Sequence, residues 1–291
     1  MKITFLGTSA SNAFPEAFCS CENCKQARIL GGKSLRKRSA ILVNDDLLID
    51  LNPDIMSSSQ MHQCSLTNVR YCLQTHPHAD HLDVNHLKSR SPGFGVVGAP
   101  VLHLFASAQT MQRASTTFER DLSDYSLFSP EAEERLNLRI HQVEPFTPFT
   151  FGGYRVIAFP ANHAPSMGAM LYSVEFNGHT LFYGTDTAPL FDETWQVFHQ
   201  NALQFDLVIL DHTYGLNKVG SGHMNAADFI EHMQRMRREE ILKPDSRVFA
   251  THIAHDANPA HPQLVEFAAQ NGYEVAFDGL IIDLEERTVP L

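Results

Sequence analysis

The segment Thr75-His76-Pro77-His78-Ala79-Asp80-His81 constrains this chain more than any other. It sets four potential metal ligands within six residues, directly after Val69–Gln74, a largely apolar run of strand length. On a helix, ligands sharing one face would be spaced by three or four residues. Here they crowd together at a strand end, where a loop lets nearby side chains converge on one point. Imidazoles suit borderline metals such as zinc, and a carboxylate can hold or orient a second ion. A solvated polar loop would account for a His-x-His pair alone. It accounts poorly for His-x-His-x-Asp-His behind a buried strand. The fold has to gather strand ends around metal.

Other segments offer ligands in the same local setting. His163 follows the run Arg155–Phe159, Asp186 follows Thr180–Tyr183, and His252 and His255 follow Arg247–Thr251. Together they supply the imidazoles and the bridging carboxylate that a binuclear site needs. The chain holds 16 histidines against seven tyrosines and one tryptophan, so histidine chemistry is a theme of the whole sequence. Five cysteines form an odd set, which argues against a complete disulfide framework. Three of them, Cys19, Cys21 and Cys24, fall within six residues and read as metal ligands in a reducing compartment. Cys64 and Cys72 read as buried apolar thiols.

The remaining pattern mixes strands and helices. Strands are expected at Lys2–Leu6, Ala40–Val43, Leu47–Leu51, Val101–Phe105, Leu138–Val143, Tyr154–Phe159, Met170–Phe176, Thr180–Tyr183, Leu207–Leu210 and Arg247–Thr251, with two short ones closing the chain. Asn177-Gly178 is a hairpin signal. Helices are expected at Ser107–Leu122, Thr194–Gln200, from an Asn225 cap through about Leu242, and at Pro262–Asn271 before Gly272. This order fits an α/β layered sandwich with two sheets. With 43% apolar and 19% charged residues the chain can bury a large core, and 1–291 is read as one domain built around a single site. No apolar run of about 18 residues occurs, so no membrane span is expected. The opening residues lack the pattern of a signal peptide, making the cytoplasm the expected location.

On these residues the sequence resembles the metallo-β-lactamase fold superfamily of binuclear hydrolases. The resemblance runs from Phe5-Leu6-Gly7-Thr8 to Thr251–His255. Cys-x-Cys-x-x-Cys after the first strand makes it similar to the phosphoribosyl cyclic phosphate phosphodiesterase subgroup, and a related pyrroloquinoline quinone biosynthesis branch carries a comparable cysteine cluster. The resemblance implies a four-layer αββα sandwich. It implies that His76, His78 and His163 hold a first metal, that Asp80, His81 and His252 hold a second, and that Asp186 bridges both. It further implies a structural zinc on Cys19, Cys21, Cys24 and His255, a closed set without an open position. Zinc or manganese is expected in the active site, with iron as a further option.

The implied chemistry is attack of a metal-bridging hydroxide on a phosphodiester, with Asp80 also assigned a catalytic part. His223, in Gly220-Ser221-Gly222-His223, resembles the family histidine that contacts phosphate and protonates the leaving oxygen. Asp50 is expected to support the ligand loop. His212 is expected either to line the site or to be an ordinary buried histidine. Lys33, Arg36, Lys37 and Arg38 read as a solvated basic face, the alternative being that Arg38 or a neighbour reaches a substrate phosphate. The formal charge of −11 argues against a ribonuclease Z-like nuclease and against nucleic-acid or membrane partners, leaving a small anionic substrate. A homodimer is compatible with the sequence. A lactone or thioester hydrolase and a non-hydrolytic biosynthesis protein stay open as alternatives.

Overall fold

Strands such as Ala40–Val43 and Leu47–Ile49 are apolar on both faces, as strands are when a sheet is covered on two sides. A computed structural model describes residues 1–216 and 218–285. Its elements run β1 (Lys2–Gly7), α1 (Glu22–Leu30), β2 (Ala40–Val43), β3 (Leu47–Ile49), α2 (Ile55–Met61), β4 (Tyr71–Leu73), α3 (Asn85–Ser89), β5 (Leu102–Ala106), α4 (Ala108–Asp121), α5 (Pro130–Leu136) and β6 (Leu138–Gln142). They continue with β7 (Phe149–Phe151), β8 (Tyr154–Pro160), β9 (Met170–Phe176), β10 (His179–Gly184), α6 (Asp192–Gln200), β11 (Phe205–Asp211), α7 (Ala226–Arg238), β12 (Leu242–Thr251), α8 (His261–Gln270), β13 (Glu274–Val275) and β14 (Ile281–Asp283).

Two seven-stranded sheets result, in the orders β14-β1-β2-β3-β4-β5-β6 and β13-β12-β11-β10-β9-β8-β7. Each is mixed. In the first, β14 to β3 pair antiparallel and β3 to β6 pair parallel. In the second, β13 to β10 pair parallel and β10 to β7 antiparallel. Three apolar cores separate four layers. Phe5, Ile41 and Leu73 of the first sheet meet Val156, Tyr172, Ile209 and Phe249 of the second. Leu48, Cys72 and Leu104 pack outward on Met111, Ala114 and Phe118 of α4 and Leu136 of α5. Phe182, Val208 and Leu210 pack outward on Phe198 of α6, Phe229 and Met233 of α7, and Leu264 of α8. Each Val, Leu, Ile, Phe or Met side chain so taken out of water stabilises the fold by about 1.5–3 kcal/mol. The expected αββα sandwich is the observed one. No helix among the described residues is long and apolar enough to cross a membrane.

Local sequence signals act as expected at several points. Asn225 caps α7 through a capping box with Asp228. Asn177 and Gly178 both take positive φ, 50° and 79°, as a two-residue hairpin turn requires. Two expectations fail, at the end of that helix and at the basic run, and the cysteine segment gains a helix where none was assigned. The helix after Asn225 stops at Arg238 rather than near Leu242, because Glu240 turns the chain at φ 56° and Leu242 already pairs with Phe205 in the sheet. The cysteine segment is partly helical: the Cys21 sulfur accepts the amide of Cys24 and starts α1. The basic run 33–38 is not one solvated face. Arg36 is buried and donates to Thr8 Oγ1, His261 Nδ1 and the carbonyl of Ala276. Arg38 pairs with Asp54 at 3.0 Å, and Lys33 lies over the Phe277 ring.

Candidate metal centre

The parallel halves of the two sheets put several strand ends on one edge. β3 ends before Asp50, β4 before His76, β10 before Asp186, β11 at Asp211 and β12 before His252. β8, antiparallel to the same neighbour as β10, ends before His163. Clefts at the carboxyl ends of strands are where open α/β sheets bind ligands. Asp50, Asp186 and His252 take left-handed φ values of 69°, 57° and 56°. Such conformations cost on the order of 1–3 kcal/mol each and cluster where packing holds a functional side chain in place.

Asp186 Oδ2 is the hub of the cluster. It lies 3.0 Å from His76 Nε2, 3.2 Å from His81 Nε2, 3.5 Å from His163 Nε2 and 3.9 Å from His252 Nε2. His78 Nδ1 lies 2.8 Å from His76 Nε2 and 3.2 Å from His163 Nε2. Asp80 Oδ2 lies 3.3 Å from His81 Nε2 and 3.7 Å from His252 Nε2. Two donor sets share Asp186, His76, His78 and His163 in one and Asp80, His81 and His252 in the other, and a third, overlapping set joins Asp186 and His252 to Asp211 and His223. A tetrahedral metal with bonds of 2.0–2.1 Å has ligand-to-ligand edges of roughly 3.3 Å. The observed spacings match that edge, so both sets fit a divalent metal. Burial and the His81 charge act on Asp80 in opposite directions, and the histidines win, holding it well below the usual carboxylate range. Burial outweighs the nearby carboxylates at His76 and lowers it to about 4, which keeps the ring neutral.

The far nitrogens of four rings are anchored. His81 Nδ1 donates to Asp50 Oδ2 at 2.7 Å. Asp50 also accepts from the Thr75 amide, the Thr75 hydroxyl and Gln74 Nε2. A carboxylate only accepts, so Thr75 donates to Asp50 and takes the His76 Nδ1 proton at 3.0 Å. On the second sheet, His252 Nδ1 donates to Thr213 Oγ1 at 2.7 Å, and Thr213 donates to Asp211 Oδ2 at 2.9 Å. His163 Nδ1 donates to the Gly222 carbonyl at 3.2 Å. These bonds fix the tautomers and aim each Nε2 lone pair into the cluster. Asp50 thus ties the His81 ring to the backbone and hydroxyl of Thr75.

Asp211 escaped the sequence reading, which chose its neighbour. Leu207 and Ile209 face the space between the sheets, while Val208 and Leu210 face the outer helices. By the alternation of a strand, Asp211 turns toward the cluster and His212 away from it. His212 packs on Phe229 and bonds Asn258 at 2.9 Å and Tyr273 at 3.0 Å, the ordinary buried histidine of the two options. Both faces of β11 are buried, so its pattern carries no signal that would have separated the two residues. Asp211 is fully buried and also contacts His223, whose Nδ1 lies 3.2 Å from Asp211 Oδ2 and 3.0 Å from Asp186 Oδ1. Burial opposes a charge on His223, but the two carboxylates prevail and raise its pKa to about 11.

Cys19, Cys21, Cys24 and His255 converge as a separate four-donor set, with Cys21 Sγ 3.7 Å from His255 Nδ1. Burial works against a thiolate at Cys21, yet hydrogen bonds from His255 and the Cys24 amide bring its pKa down to about 7. Three sulfurs and one imidazole suit a closed tetrahedral zinc. His255 also lines a cavity of about 400 Å³ that opens over His78, Asp80, His163, Asp186, His223 and His252.

Residues 46–253 match the β-lactamase superfamily domain. Over 98% of its length the chain is 23% identical to the whole of a coenzyme PQQ synthesis protein B from Acinetobacter baumannii (strain ACICU). Among solved structures it resembles a diphosphatase of the PhnP family, with TM-score 0.73, 21% identity and 97% of each chain covered. It also resembles Zn(2+)-bound PqqB from Methylobacterium extorquens, with TM-score 0.69, 20% identity and coverage of 98% of this chain and 100% of the other.

Proposed function

The chain belongs to the β-lactamase superfamily, and from that premise we propose that it is a binuclear metal-dependent hydrolase cleaving a small cyclic phosphate or other phosphodiester. In this reading His76, His78 and His163 hold one divalent metal, Asp80, His81 and His252 hold another, and Asp186 holds both. Such metals supply Lewis acidity and an activated water at neutral pH. Cys19, Cys21, Cys24 and His255 hold a structural zinc beside the cavity.

The observation that carries the reading is His223. Its Nδ1 is engaged by Asp186 and Asp211 while the residue lines the cavity. That leaves Nε2 to meet a substrate. A cationic imidazole there binds a phosphate oxygen and gives a proton to the departing alkoxide, a role typically worth 10²–10⁴ in rate. Asp80 fits a double part, binding metal and orienting the attacking water from the cavity floor. The cavity suits a small ligand rather than a polymer groove, and the formal charge of −11 favours the same choice. The cytoplasm is the proposed location.

A second reading, a protein of the PQQ synthesis type, is favoured by the full-length likeness to a coenzyme PQQ synthesis protein B. Metal-quantified protein assayed on bis(4-nitrophenyl) phosphate, a lactone and a thioester separates these readings. Phosphodiester turnover lost in His223→Ala, with metal content unchanged, supports the proposal. An unchanged rate removes His223 from the chemistry, and no turnover of any ester favours the second reading.

A further inference from the structure

The two metal sets are not backed equally. Behind the set Asp80, His81, His252 and Asp186 stand two buried carboxylates: Asp50 bonds His81 directly at 2.7 Å, and Asp211 reaches His252 through Thr213. The set itself contributes two carboxylates. The set His76, His78, His163 and Asp186 contributes three imidazoles and only the shared carboxylate. Its His163 is backed by a neutral carbonyl, and its His76 reaches Asp50 through Thr75 at a longer 3.0 Å. Carboxylate backing makes an imidazole a stronger donor, and ligand charge raises the affinity for a divalent ion.

We propose that Thr213 is a positioning residue whose hydroxyl, relaying Asp211 to His252, makes the Asp80–His81–His252–Asp186 pocket the first to fill with metal and the last to lose it. The inference rests on the two-metal reading above. Thr213 is suited to this part because it is buried and its one hydroxyl proton is committed to Asp211. Its lone pair is then fixed toward His252 Nδ1. Thr213 bonds no other imidazole, whereas Thr75 bonds Asp50, which also supports His81. Removing the Thr213 hydroxyl therefore weakens one pocket selectively.

The test is chelator competition with cobalt(II) as probe on the metal-free full-length protein. The sulfur-to-cobalt charge-transfer bands separate the cysteine site from the two histidine and aspartate pockets. In the unsubstituted protein those two pockets should load in two distinct steps. Thr213→Val should weaken the tighter step by about 10–100-fold and leave the looser one nearly unchanged. Thr213→Ser should restore it. Thr213→Ala should repeat the Val result, and cobalt bound at the cysteine site shows that each variant is folded. A tighter step that survives in Thr213→Val, or weakening of the looser step alone, overturns the proposal. Fewer than two non-thiolate cobalt ions bound by the unsubstituted protein would instead sink the binuclear reading on which it rests.

Discussion

The Asp211 carboxylate stands 3.2 Å from Nδ1 of His223, and no water-exposed atom of Asp211 competes for it, since the residue is fully buried. Asp211 also accepts the amides of Thr213 and Met224, so it fixes both ends of the loop that carries His223. The Asp211→Asn variant keeps the shape and removes the charge. We expect kcat on a phosphodiester to fall on the order of 100-fold, as for a displaced proton donor. Its alkaline limb should move to lower pH, because His223 loses one of the two carboxylates that hold its proton. A pH–rate profile with metal analysis at each point checks this, and an unmoved alkaline limb refutes it.

Asp50 offers a test of the other supporting carboxylate. Its φ of 69° is one that Asn tolerates better than most residues, so Asp50→Asn changes charge without adding backbone strain. His81 would then lose its carboxylate partner. Metal affinity should fall about 10–100-fold, read by competition with a chelator, while far-ultraviolet circular dichroism stays native.

Cys19 belongs to the set that includes His255. Metal analysis should find about three metals per chain in the unsubstituted protein and about two in Cys19→Ala. Thermal stability should fall with the lost metal. Retention of three metals would show that the cysteines hold none.

Stability should depend on pH through His261. Burial, and then the Arg36 charge, lower its pKa to about 3, below its unfolded value of 6.5. The unfolded chain therefore binds the extra proton first. The stabilising effect of neutral His261 is complete above pH 6.5 and is lost as pH falls toward 3. Asp278 acts oppositely. Burial raises it from 3.8 to about 6, so its favourable contribution is present below 3.8 and lost as pH rises through 6. Comparing His261→Asn with the unsubstituted protein isolates the first effect. The unsubstituted protein should lose stability relative to the variant in chemical melts between pH 6.5 and 4. A constant difference across that range would refute the assignment.

Much of this site was legible because its chemistry is local. Thr75–His81 carries four donors on one loop, and a strand pattern before each of His163, Asp186 and His252 told that those residues stand at strand ends. Capping at Asn225 and the turn at Asn177-Gly178 are likewise decided by neighbouring residues. The layered architecture followed from the order of strands and helices along the chain.

What the sequence by itself determined is the donor inventory and its placement at strand ends, because ligand type and strand periodicity are properties of a few adjacent residues. Tertiary structure alone decided which of Asp211 and His212 faces the cluster, because β11 is buried on both sides and its alternation has no polar face to mark direction. It also decided that Arg36 is a buried strut between Thr8, Ala276 and His261 rather than a surface charge. It alone joined Asp50 to His81 and Asp211 to His252 and His223. Those partners lie 31, 41 and 12 positions apart, and the parallel pairing of β3 with β4 and of β11 with β12 is what sets their strand ends side by side.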